Sequence, residues 1–89
     1  MAEYRVEFVR SARKEFEKLP AKQQDRVVEA LSILSLNPHS ELLRVKRLKG
    51  ASDLFRIRVG DYRVVYETQN KRLVVVVIKI GHRRDIYRK

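Results

Sequence analysis

The feature that most constrains the fold is Gly60-Asp61, where two strand-like runs meet. Asp53–Val59 and Tyr62–Thr68 flank this two-residue connection, which is able to take positive φ and so predicts a tight β-hairpin. If the dipeptide is the whole loop, Val59 faces Tyr62, Arg58 faces Arg63, Ile57 faces Val64 and Phe55 faces Tyr66. Successive strand residues point to opposite sides. Phe55, Ile57, Val59, Tyr62, Val64 and Tyr66 then share one side, while Arg56, Arg58 and Arg63 share the other. After a turn at Gln69–Arg72, Leu73–Ile80 is apolar on both faces and reads as a central strand. On an open edge its β-branched run would invite aggregation.

The first half supplies what covers the apolar side. Tyr4, Val6 and Phe8 alternate with Arg5 and Glu7, as in a half-buried strand. Ser11 offers an N-cap, and Ala12, Phe16 and Leu19 form one stripe of a short helix. Pro20 ends that helix and suits the first turn of the next. Val27, Leu31 and Leu34, with Ala30, repeat the stripe until Asn37-Pro38 stops it. The expected fold is α+β in the order β-α-α-β-β-β, with two antiparallel N-terminal helices on one face of a small, mainly antiparallel sheet. Residues 1–89 are expected to form a single domain. Leu, Ile, Val and Phe make up 29 of the 89 residues, enough for a core. The longest apolar run, Leu73–Ile78, is far shorter than the ~20 residues that span a bilayer. Nothing at the N-terminus resembles a secretory signal, so no membrane association and a cytoplasmic location are expected.

The formal net charge is +10, and all of it falls in the second half. Residues 1–41 balance seven Lys/Arg with seven acids, whereas residues 42–89 set fourteen against four. That asymmetry predicts one basic face that attracts polyanions. Arg56, Arg58 and Arg63 are its centre. They form either a solvated face with splayed side chains or an anion site presenting three guanidinium forks to phosphate. The stretch from Gly81 to Lys89 combines His82, Arg83, Arg84 and Tyr87, donors and stacking groups suited to RNA; basic tails without function are also common. His39, beside Pro38, reads as incidental. With no cysteine and two histidines, neither a metal nor another cofactor is expected.

Almost end to end, the chain resembles the RelE/ParE superfamily of toxin–antitoxin toxins, and its RelE branch in particular. The resemblance rests on Tyr4-Arg5-Val6-Glu7-Phe8, Ser11-Ala12-Arg13-Lys14, Leu19-Pro20, Asn37-Pro38, Leu48-Lys49-Gly50, Tyr62-Arg63-Val64-Val65-Tyr66 and Gly81-His82-Arg83-Arg84-Asp85-Ile86-Tyr87, in that order and spacing. It implies a small sheet with two helices on one face. It also implies a ribosome-dependent endoribonuclease that cuts mRNA in the A site by attack of the 2′-OH on the neighbouring phosphate, without a metal. The catalytic positions of that branch fall on Arg56, Arg58, Arg63, Arg83 and Tyr87, with Lys46, Arg47, Lys49, Arg84 and Arg88 as further RNA-binding cations.

Two departures bear on the chemistry. Lysines are typical where this chain has Arg56 and Arg58, and a guanidinium, which stays protonated, is a poor general base. The interval from Gly81 to Tyr87 is also shorter than is typical. His82 is then the candidate to exchange a proton, since imidazole ordinarily titrates near ~6.5. The resemblance further implies an acidic, RelB-like antitoxin as partner, with operator DNA bound only through the toxin–antitoxin complex. Two alternatives stay open: a ParE-like toxin that inhibits gyrase, and a degenerate toxin that only binds its antitoxin.

Overall fold

The computed structural model describes residues 3–48 and 53–82. Strand β1 (Arg5–Phe8) leads into helices α1 (Arg10–Glu17) and α2 (Ala21–Leu36). A 3-10 turn (Glu41–Leu43) and a two-residue strand β2 (Lys46–Arg47) precede β3 (Leu54–Val59), β4 (Tyr62–Gln69) and β5 (Val74–His82). The sheet order is β1-β5-β4-β3-β2, antiparallel throughout except where β1 runs parallel to β5. The α+β architecture follows the expectation, with β2 as an added edge strand. Two exposed, charged residues carry no alternation to betray it, and their pairing with Arg56 and Phe55 alone defines it.

Hydrophobic burial explains the layers. Val27, Ala30, Leu31 and Leu34 of α2 and Ala12 of α1 close over Phe55, Ile57, Val59, Val64, Tyr66, Val75, Val77 and Ile80 in one cluster. Phe16 and Leu19 pack half-buried against it. The hairpin register matches the expected pairing residue for residue. Within its two-residue loop only Gly60 has positive φ (61°), the pattern of a type II′ turn with glycine in its first central position.

Opposite Val65 and Tyr66, β5 carries an extra residue: Val65 pairs with Lys79 but Tyr66 with Val77, leaving Ile78 bulged. The bulge shifts the pleat so that Ile80 joins Val75 and Val77 in the core while Lys79 is exposed. Beyond the end of β1, Glu15 takes over that edge of β5: its Oε1 accepts the Ile80 N–H at 2.8 Å and its Oε2 lies 3.4 Å from Lys79 Nζ.

Three local expectations are corrected. Ser11 is not the cap of α1; the helix begins two residues earlier, with Val9 at the N-cap and no side-chain cap bond, because the Arg13 N–H already reaches the Val9 carbonyl. Pro20 stands at the N-cap of α2 rather than inside its first turn, and its carbonyl accepts from the Gln23 and Gln24 amides. Leu73 belongs to the β4–β5 turn, with φ 55°, instead of opening the strand. No helix among the described residues is long and apolar enough to cross a membrane.

Candidate functional site

The pleat sorts the cations of the second half into two groups. On the side turned from the helices, Arg58 lies opposite Arg63 across β3 and β4, and Lys46 lies opposite Arg56 across β2 and β3. These four, with Arg44 and Ile57, line a cleft of about 210 Å³. Among the described residues, five of the six that line it are therefore cationic, and none is a carboxylate. Arg63 is 7% exposed at the back of the cleft, Arg56 is half-buried, and Arg44, Lys46 and Arg58 are exposed. Each like-charged pair across the sheet costs roughly 0.2–1 kcal/mol, which an anion seated between the partners offsets.

Arg44 was not singled out by sequence. It closes the 3-10 turn in the left-handed region, φ 51° and ψ 54°, which non-glycine residues seldom adopt. An arginine in a run with no turn dipeptide gives no local signal of that conformation. Its place beside Lys46 becomes visible once β2 is known to pair with β3.

The opposite pleat has different chemistry. Arg47, next to Lys46, faces Phe55 and stacks over its ring, with Cζ 5.5 Å from the centroid. Phe55 in turn stacks on Tyr66 at 5.7 Å and meets His39 edge-on at 4.9 Å. Arg47 is thus separated from the cleft, and His39 is a packing partner of the aromatic stack. The Tyr66 hydroxyl donates to the Pro38 carbonyl at 2.6 Å, and burial pushes its phenol pKa well above the ordinary value.

His82 ends β5 opposite Tyr62, its ring edge-on to the tyrosine at 5.5 Å. Arg63, the next residue along β4, points the other way. The structure therefore brings together Lys46, Arg56, Arg58 and Arg63, and sets Arg47 and His82 on the other pleat. Lys49, Arg83, Arg84, Tyr87 and Arg88 lie outside the described residues. Among the described residues there is no group of three or more His, Asp or Glu side chains able to hold a metal ion.

A hairpin-borne basic cleft on the sheet face opposite a two-helix layer is a combination that comparison with known proteins can place. The family model for the ParE toxin of the type II toxin–antitoxin system parDE matches residues 6–87. The chain belongs to the RelE/ParE family of type II toxins. Its relatives point to the RelE branch. Toxin RelG of Mycobacterium tuberculosis is 36% identical over 89 residues, covering 97% of this chain and 98% of that protein. The archaeal RelE–RelB complex from Pyrococcus horikoshii superposes with a TM-score of 0.81 at 35% identity, covering 93% of this chain and 97% of that one. The isolated Escherichia coli RelE toxin gives a TM-score of 0.78 at 28% identity, covering 89% and 83%. This RelE-like toxin thus shares its sheet and helical layer with proteins crystallised both with and without RelB.

Proposed function

We propose that this toxin is a ribosome-dependent endoribonuclease that cuts mRNA in the A site. The observation that carries the reading is the cleft itself: five cations on the β2–β3–β4 surface, with no carboxylate among its described lining residues. In the reaction the 2′-oxygen loses its proton and attacks the adjacent phosphorus. The P–O5′ bond breaks, leaving a 2′,3′-cyclic phosphate, and the departing O5′ takes up a proton. Charge accumulates on the phosphorane oxygens, and fixed guanidinium donors stabilise such charge more than they stabilise the ground state. Arg56, Arg58 and Arg63 fill that role, joined by Arg83. Tyr87 stacks on or orients a base, and Lys46, Lys49, Arg84 and Arg88 hold flanking RNA. Arg47, engaged on Phe55, serves RNA only from the sheet's other side.

Arginine is a poor proton acceptor, so the proton steps fall to His82. His82 is exposed at the end of β5, edge-on to Tyr62 on the pleat opposite the cleft, and it serves the proton steps where the RNA passes around that end of the sheet. An acidic RelB-like antitoxin completes the proposal. It silences the toxin by laying carboxylates over the cations, and operator DNA is met through that complex.

The test is a purified translation system in which mRNA 5′ ends are mapped after toxin is added. Cuts confined to the A site, abolished by a 2′-deoxy substitution at the scissile nucleotide, are expected. Intact mRNA together with inhibited gyrase supercoiling would instead select a protein target, the reading that the match to the ParE description favours. Antitoxin binding with neither activity would identify a degenerate toxin.

A further inference from the structure

The cleft's cations come as two cross-strand pairs. Arg58 and Arg63 span β3 and β4; Lys46 and Arg56 span β2 and β3. The pairs are offset by one strand and by two residues along β3. Strand spacing and rise place their centres ~8 Å apart at the backbone, a separation that long Arg and Lys side chains can narrow onto adjacent phosphates of one strand. Charge points the same way, since the exposed lining cations Arg44, Lys46 and Arg58 already fall on both sides of the cleft.

Arg44 adds a second observation. Its left-handed backbone stands immediately before β2, and its side chain lines the cleft beside Lys46 and Arg56. A strained backbone held at a ligand-facing residue is characteristic of binding surfaces. Among the described residues no aromatic ring lines the cleft, so the contacts they offer there are to the RNA backbone.

We propose that the cleft is two phosphate subsites in tandem: Arg58 and Arg63 hold the scissile phosphodiester, Lys46 and Arg44 hold its neighbour, and Arg56 stands between them and reaches the scissile group. This rests on the ribonuclease reading and deepens it. Single-stranded RNA crosses the sheet from β4 toward β2, gripped by its backbone without regard to base. Arg44 is a binding residue of the second subsite and takes no part in bond making or breaking.

The experiment measures binding of uncleavable 2′-O-methyl oligonucleotides with one, two or three internucleotide phosphates to the full chain across a salt series. Each phosphate contact adds ~0.7 to the slope of log K against log salt for single strands. The double variant Arg44→Gly, Lys46→Gln leaves the left-handed backbone unstrained; it is expected to lower the slope by ~0.7 and to lose the affinity gained with the second phosphate. Lys46→Gln alone gives a smaller change of the same sign, should the double variant fold poorly. An unchanged slope and an unchanged length increment would overturn the proposal, as would absence of binding by the parent toxin at low salt. If the slopes behave as stated but mRNA remains intact during translation, the subsites stand and the ribonuclease reading falls.

Discussion

Replacing Arg58 by Gln should stabilise the fold while disabling the site. Arg58 is exposed, directly opposite Arg63, and two residues from Arg56 on the same side of β3. Glutamine retains much of the aliphatic stem and removes the charge, which relieves one cross-strand repulsion and part of one along the strand. Cross-strand terms are worth ~0.2–1 kcal/mol. At ~4–8 °C per kcal/mol for a domain of this size, the melting temperature should rise by roughly 1–8 °C. Because the charges meet near the surface, the gain should shrink as the Debye length falls from ~10 Å at 0.1 M to ~3 Å at 1 M salt. Loss of one preorganised donor to the phosphorane should slow cleavage by ~10²–10³. Calorimetry in low and high salt, paired with timed mRNA cleavage on ribosomes, reads both effects. A variant less stable than the parent at low salt, or stabilised equally at both salts, would refute the electrostatic account of the cleft.

Tyr66→Phe removes the donor to a buried carbonyl and should cost ~1–3 kcal/mol in urea unfolding. Burial raises the folded-state pKa of Tyr66 above its unfolded value. The contribution is therefore fully present below about pH 10 and is lost as pH climbs beyond it, so the parent's alkaline decline should be shallower in the phenylalanine variant. Glu15→Ala uncaps the Ile80 amide where β1 no longer covers β5; faster hydrogen exchange at Ile80 and a loss of ~1–3 kcal/mol are expected. His82→Ala should slow cleavage by ~10²–10⁴ if the imidazole exchanges the proton, and full activity would assign rate enhancement to the arginines alone.

Where sequence and structure agree, one physical period dominates. The two-residue loop at Gly60-Asp61 determines which residues face each other, so the sorting of Arg56, Arg58 and Arg63 away from Phe55, Ile57 and Val64 could be read from the chain alone. The Val27–Leu34 stripe was legible for the same reason, at helical spacing. What escaped depends on partners distant in sequence. The strand at Lys46 exists because β3 offers it hydrogen bonds, and Arg44 takes a left-handed turn to enter it. The bulge at Ile78 is invisible in a run of apolar residues, yet it decides that Lys79 and not Ile80 is exposed. His82 lies within the basic C-terminal segment in sequence but pairs with Tyr62 across the sheet, because pleat parity outweighs proximity along the chain.

The same parity accounts for how a small basic toxin tolerates its own site. The main apolar cluster lies on the pleat beneath α1 and α2, where Phe55, Tyr66 and Ile57 are packed, while Val65 and Val74 are buried on the opposite pleat. The repulsive pairs stand on the opposite pleat of the same strands, so the hairpin that carries them is fixed from behind by the core. An anion entering the cleft meets guanidinium groups whose backbone is already in place, and the electrostatic cost of assembling them has been met during folding by hydrophobic burial. Any polyanion that binds the folded chain in preference to the unfolded one also stabilises it by mass action. In the proposed function, an acidic antitoxin and an RNA strand then compete for one surface and satisfy the same unfavourable pairs, which makes neutralisation and substrate binding mutually exclusive without any conformational switch.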